Sequence, residues 1–423
     1  MNHCLHRLLA LSSLALILGA AAGAHAEDGA AEPAKTPITF DLSAQERARV
    51  QFLSDKDFAG KAIGGWEIGN RARFGILGHF GDKVELFVQV QDVRTWGSEY
   101  NAATLGEGTM KDWAADGLDM HQAFGQLNLP GKWTLRIGRQ ETGWHSKRLI
   151  GNPNWSHSNR SLDAVRIFRD AEPAGFEFLY ATLLNRPVNA DDTANRWKDA
   201  HMLAVRGGPR VGKALNLDGM LILSLDAGKE LTLATFGAHG KGEAGIFRWK
   251  VEGYGQVGSA AAADYRAWMV GARGGVKLDG GPKPYLGLGI DVLSGDKDPA
   301  DDTVRTFDTL LAANHGKYGN MDIYLNIPKH TRGEGLINPM LNTSFALCKK
   351  VTLKFDVHMF ASAVPADGER AFHGLELDLN ARWSPHKVVH ISPGAWVYLP
   401  GPFWGDDPTP EFVAYLMTDF HIK

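Results

Sequence analysis

From about residue 43 onward, apolar and polar side chains alternate along the chain in segment after segment. Val84, Leu86, Val88 and Val90 share one parity while Glu85, Gln89 and Gln91 share the other. Leu353, Phe355, Val357 and Met359 stand in the same way against Lys354, Asp356 and His358. A period of two predicts β-strands with unlike faces. Applied throughout, it places strands at 43–52, 65–77, 84–93, 118–129, 133–141, 160–168, 175–184, 201–207, 215–225, 231–239, 247–257, 266–278, 284–294, 336–347, 351–362, 374–383, 390–398 and 412–422. Two architectures accept such strands. A soluble sandwich buries the apolar parity in a shared core, whereas a transmembrane barrel turns it to lipid and the polar parity to a lumen.

The connections favour the barrel. Even-numbered ones are short, as at 79–83, 130–132, 170–174, 279–283, 348–350 and 384–389, and odd-numbered ones are mostly long, at 94–117, 142–159, 185–200, 295–335 and 399–411. Short turns on one rim and long loops on the other are the pattern of outer-membrane barrels, and with both termini on one rim the strand number is even. Met321 to Ile327 belongs to the long loop on this reading, since a strand there would break the parity. The fold expected is all-β: a transmembrane antiparallel barrel of about eighteen strands, with short periplasmic turns and long extracellular loops.

The N-terminus agrees with export. Residues 1–26 have His6 and Arg7, an apolar run from Leu8 to Ala22, and Ala24-His25-Ala26 as a small-x-small cleavage site, a secretory signal. Residues 27–41 form an Ala, Glu and Pro rich leader, and 42–423 form the barrel. No later window of about 18 apolar residues occurs, which excludes a helical span. A membrane protein of this kind has to be a closed barrel, because only closure satisfies every backbone group in lipid. Cys4 falls in the signal, so Cys348 is alone in the mature chain and no intrachain disulfide forms. Lys plus Arg at 45 against Asp plus Glu at 48 gives no bulk charge for nucleic acid.

Taking the polar parity as inward lines a lumen with Arg47, Arg49, Arg71, Arg73, Arg136, Arg166, Arg248, Lys250, Glu252 and Arg273. Glu67, Lys354, Asp356, His358, Glu376, Asp378 and Arg382 share that parity. Guanidinium groups stay charged and grip carboxylates in a planar fork, so a ring of them suits an anion path. Interleaved carboxylates keep each binding step weak enough for release. The plain alternative is a water-filled lumen whose mixed charges neutralise one another. Arg139 and Asp163 fall on the lipid parity near strand ends.

Two stretches go beyond pattern. One is Gly138-Arg139-Gln140-Glu141, then Arg148-Leu149-Ile150-Gly151, Trp155, and Arg160 to Arg166; the other is Lys283-Pro284, Gly287-Leu288-Gly289 and Ser294-Gly295-Asp296, with Phe307, His315, Tyr318-Gly319 and Asp322 downstream. Together with Gln91 to Gly97, Glu252, Gln256 and Gly258, and Asp356 to Phe360, they resemble the alginate-export family of outer-membrane porins over most of residues 42–422. The resemblance implies a bacterial outer-membrane location and an eighteen-stranded barrel through which an anionic polyuronate or related organic anion passes. By position in those motifs it points to Arg139, Arg148, Arg160 and Arg166, with Asp163 as the partner that orients them. It implies outer-membrane lipid as the surroundings and no cofactor, and directional export would need a periplasmic partner. The alternative is a β-rich polysaccharide-binding protein or barrel enzyme of the envelope, but the chain has no nucleophile elbow and no compact acid and base pair.

Other constellations are weaker. Asp296, Asp298, Asp301 and Asp302 lie close enough in sequence to suit calcium, or form a solvated acidic loop. The 16 histidines have no zinc-site spacing. Trp96, Trp113, Trp144, Trp155 and Trp404 lie in or beside the long loops, either to stack on sugar rings or to form an interfacial belt.

Overall fold

The computed structural model describes residues 37–54, 58, 64–96, 118–184, 199–368 and 370–422. The signal sequence, most of the leader, Trp113 and most of the loops at 94–117 and 185–200 lie outside the described residues. Among the described residues eighteen barrel strands are present where the alternation predicts them, and a further two-residue strand, Thr303–Val304, pairs parallel with Asp264 and Tyr265 within the long loop. The eighteen are β1 (Ile38–Leu53), β2 (Gly65–Phe80), β3 (Val84–Thr95), β4 (Leu118–Leu129), β5 (Trp133–Gln140), β6 (Leu162–Ala171), β7 (Ala174–Leu184), β8 (Ala200–Val211) and β9 (Leu215–Asp226). Then come β10 (Leu231–Ala244), β11 (Phe247–Ala260), β12 (Ala263–Lys277), β13 (Tyr285–Leu293), β14 (Leu336–Cys348), β15 (Val351–Ala361), β16 (Phe372–His386), β17 (Val389–Pro400) and β18 (Glu411–Ile422). β1 starts at Ile38, four residues inside the predicted leader. Residues 321–327 add no barrel strand; only a short helix, Ile327–His330, ends that stretch.

Each barrel strand pairs antiparallel with its sequence neighbours, and β1 pairs with β18 in register from Ala44 opposite Ile422 to Leu53 opposite Val413. The sheet is therefore closed and has no edge, which is the condition for a lipid-exposed sheet. Closure removes the soluble two-sheet alternative. Many exposed large hydrophobics lie on the predicted outer parity, including Leu86 and Val88 on β3, Phe355 and Met359 on β15, and Phe412 and Leu416 on β18.

The inner face is not uniformly polar. Toward the short-turn rim it carries Glu177 on β7, Arg206 on β8 and Arg273 on β12, but toward the loop rim the same parity becomes Leu179 and Ala181, Met202 and Ala204, and Tyr265, Ala267 and Met269. Those side chains are buried against two loops that fold into the barrel, 141–161 and 294–335. Leu149, Ile150, Phe307, Tyr318, Met321, Tyr324 and Ile327 supply the loop side of this core. The hydrophobic core thus sits inside the barrel, at its loop end.

Trp144, Trp155 and Trp404 are part of that interior, which corrects both the belt and the sugar-stacking readings for them. Trp144 is buried, and Trp404 packs on Phe58 and Phe403. Trp155 lies parallel to His315 at 4.4 Å while the Arg49 guanidinium stands 3.9 Å from its ring centroid, so neighbours already occupy the ring. Trp96 remains exposed and donates to Asn70 Oδ1.

Candidate functional site

The predicted lumen residues separate into four groups by what they touch. The first fastens a loop. Arg47 Nη1 donates to the Asn154 carbonyl at 2.6 Å, Arg49 Nη1 to Trp155 at 2.8 Å, and Arg71 Nη1 to Ser156 and His157 at 3.3 and 3.2 Å. Gln91 continues the row by donating to the Ser158 carbonyl at 3.1 Å. Because β1, β2 and β3 are neighbours, their inward side chains form a ladder, and segment 154–158 lies along it with its carbonyls turned outward. Arg71 is fully buried and cannot meet a solute in this arrangement.

A second group pairs along the wall. Arg73 bonds Gln91 and Glu141, Arg166 bonds Glu177 at 2.7 Å, and Arg136 bonds Gln126 and lies over the Phe124 ring at 4.2 Å. Arg248 sits by the turn rim, 3.0 Å from Glu243. Glu141 is the hub of this side and accepts from His121, Arg73, Asn152 and Asn159. Burial pushes its carboxyl up, but the hydrogen bonds from His121 and Asn152 and the charge of Arg73 outweigh burial and hold it at about 2.

The third group joins the two inward loops. Arg160 donates to the carbonyls of Gly151, Leu311 and Ala312, beside an isolated parallel bridge between Ile150 and Leu311. Arg148, with 1% of its side chain exposed, donates to Glu252 at 2.8 Å, to Asp291 at 2.9 Å and to the Tyr318 hydroxyl. Burial alone would lower its value, but Asp291 and Glu252 raise it well above the ordinary arginine one. Arg273 shares Asp291 at 3.0 Å, and Lys250 stands 3.8 Å from Glu252.

Arg139 and Asp163 form the fourth group and correct the expectation that they line the path. They face outward from β5 and β6, directly opposite in register, and bond each other at 2.8 Å with roughly half of each side chain exposed. The calcium candidates are corrected as well. Arg305 Nη1 lies 2.8 Å from Asp301 and 3.4 Å from Asp296, so a guanidinium supplies the positive charge between them. Asp298 accepts from the Ala300 amide, and Asp302 gives its carbonyl to the Asp264 amide. Among the described residues no three His, Cys, Asp or Glu side chains are grouped to hold a metal.

Two chambers open beside these groups. The larger, about 680 Å³, is lined by Arg47, Arg73, Glu141, Arg382, His390 and Asp419 among others. The smaller, about 330 Å³, is lined by Lys147, Lys250, Arg273, His315 and Lys317, and no carboxylate lines it. Lys147, Asn152, Asn154 and Trp155 belong to both walls and form the divide between them. Sequence reasoning missed Lys147 and Lys317. Each directly precedes a quoted motif residue, Arg148 and Tyr318, but loop residues have no parity that would turn them inward. Burial, and for Lys317 also repulsion from Arg148, lowers both ammonium groups below the ordinary lysine value, Lys317 strongly.

Comparison with solved structures places the fold among outer-membrane channels. Pseudomonas aeruginosa OccK11 (OpdR) superposes with a TM-score of 0.58 at 12% identity, covering 91% of this chain and 96% of that one. P. aeruginosa OpdL gives 0.61 at 10%, covering 90% and 98%, and P. aeruginosa OpdK, solved with vanillate, gives 0.57 at 8% with the same coverages. No curated protein matches the sequence. The family described as alginate export matches residues 38–405, which span seventeen of the eighteen strands and both inward loops. The chain belongs to the alginate-export family and is an outer-membrane β-barrel porin.

Proposed function

We propose that this porin passes an anionic saccharide or related organic anion, and that its selective element is the smaller chamber. The observation that carries this reading is the lining itself. Four basic side chains, Lys147, Lys250, Arg273 and Lys317, converge there without a carboxylate in the wall. The nearest carboxylates, Glu252 and Asp291, already accept from Arg148. Excess positive charge in a confined space draws anions from solution and repels cations.

The size of the chambers supports a small anion or short oligouronate more than a polymer, since volumes of a few hundred Å³ suit a single small ligand. A polyuronate would have to thread the divide at Trp155, which Arg49 and His315 hold in place. OpdK with vanillate is a precedent, within the same fold, for an aromatic carboxylate. Transport is passive on this reading, and the gradient sets its direction.

The test is reversal potential in a potassium chloride gradient across a planar bilayer containing the refolded protein, followed by titration with galacturonate and its short oligomers. Anion selectivity with concentration-dependent block is expected. A cation-selective or unselective channel that galacturonate does not block refutes the reading.

A further inference from the structure

The Lys317 ammonium has three N–H donors and uses two of them on backbone carbonyls, Ser146 at 2.6 Å and Ala313 at 3.1 Å. Those carbonyls belong to different loops, so the side chain ties 141–161 to 294–335. Lys317 is 6% exposed, and no described carboxylate forms an ion pair with it. Across the same chamber Lys147 is in a similar state, with Nζ 3.2 Å from the Asn152 carbonyl. The two wall cations with acidic neighbours, Lys250 and Arg273, share those neighbours with Arg148. A buried ammonium that lacks a counter-charge is costly, and carbonyl dipoles offset only part of that cost.

We propose that Lys317 is a fixed carboxylate-binding site, at which one oxyanion group of the cargo accepts the third N–H and completes the junction of the two inward loops. Lys147, Lys250 and Arg273 face the same space and bind the rest of that group, or a second one. The proposal rests on the anion-porin reading and goes further. The cargo does not simply drift past a positive wall; it is a structural part of the closed arrangement while bound. Occupancy therefore stabilises the two loops together, and each anion that leaves loosens their junction.

The experiment follows heat-modifiable gel migration and thermal unfolding of the detergent-folded protein in galacturonate, in glucose, and in inorganic phosphate at equal ionic strength. Galacturonate is expected to raise the unfolding temperature, glucose to leave it unchanged, and phosphate to act more weakly. Lys317→Met should weaken the galacturonate response at least tenfold in midpoint concentration. Lys317→Gln, which keeps amide donors for the two carbonyls, should fold and show the same loss, while Lys213→Met, on the exposed turn between β8 and β9, should respond as the wild type does. Equal protection by phosphate would overturn the carboxylate assignment in favour of an inorganic counter-ion. An anion-selective wild type whose galacturonate response survives both Lys317 variants overturns the site and leaves the porin reading standing. A wild type with neither selectivity nor response removes both.

Discussion

Replacing Arg148 with methionine separates a structural arginine from a cargo-touching one. Methionine approximates the aliphatic stem but removes every donor. Glu252 would lose two hydrogen bonds, at 2.8 and 3.2 Å, and Asp291 one at 2.9 Å, with both carboxylates still buried. Removing one partner of a buried ion pair costs about 3–5 kcal/mol, chiefly because an uncompensated charge is left behind. Here compensation is partial. Asp291 retains Arg273 at 3.0 Å, and Glu252 retains the Ser146 hydroxyl at 2.9 Å and the Tyr254 hydroxyl at 3.2 Å. The low end of the range, about 3 kcal/mol, is therefore expected, a fall of about 1–3 M in the urea midpoint at ordinary slopes. The matched control is Arg139→Gln. That substitution breaks an exposed ion pair and should cost about 1 kcal/mol or less. Urea titration of both variants in detergent micelles, followed by tryptophan fluorescence, makes the comparison. A cost below about 1 kcal/mol for Arg148→Met, or equal costs for the two, would refute the argument that burial and shared carboxylates make Arg148 the keystone of the inner loops.

The remaining predictions concern how the loops are held. Arg71→Met removes the hydrogen bonds to Ser156, His157, Asn154 and Gln45, so single-channel current should become larger and noisier; a trace like the wild type would show that segment 154–158 is held without it. Gly319 has φ of 78°, and a Cβ there would collide with the Glu376 carboxylate that accepts the Met321 amide at 2.7 Å, so Gly319→Ala should cost about 1–3 kcal/mol in thermal unfolding. An unchanged unfolding temperature would count against that docking. Glu141 titrates at about 2 when folded, below its ordinary 4.5, so its stabilisation is complete above 4.5 and is lost as pH falls through 2. Channel noise should rise over that acid window and lose its pH dependence in Glu141→Gln; a flat wild-type profile would contradict the hub role.

The barrel was legible because side-chain alternation is a local signal. Each of the eighteen strands has its own period-two segment, and the short turns mark one rim independently. Inward parity of Arg47, Arg71, Lys250 and Arg273 followed from the same rule. The fate of those side chains was not legible, because it depends on contacts far apart in sequence. Arg71 meets a loop some 85 residues away, and Arg148 meets Glu252 and Asp291 more than 100 residues on. Positive charge on the inner parity does not distinguish an arginine that faces water from one that grips a carbonyl. The apolar inner face near the loop rim was hidden for a related reason: Leu179, Met202 and Met269 acquire a core only because loops return into the barrel. Asp296 to Asp302 resembled a cation site until Arg305, a few residues later, supplied the cation.

The row formed by Arg47, Arg49, Arg71 and Gln91 grips segment 154–158 mainly through its peptide carbonyls. Every amino acid presents the same carbonyl, so most of the anchorage is indifferent to the side chains being anchored. The barrel works as a chuck that holds interchangeable bits: the residues that meet solutes can be exchanged while the grip stays constant. A library randomised at Asn154 and Ser156, with Trp155 kept in the interior core, should therefore yield many folded channels that differ in what they admit, which makes this segment the natural place to retune the pore.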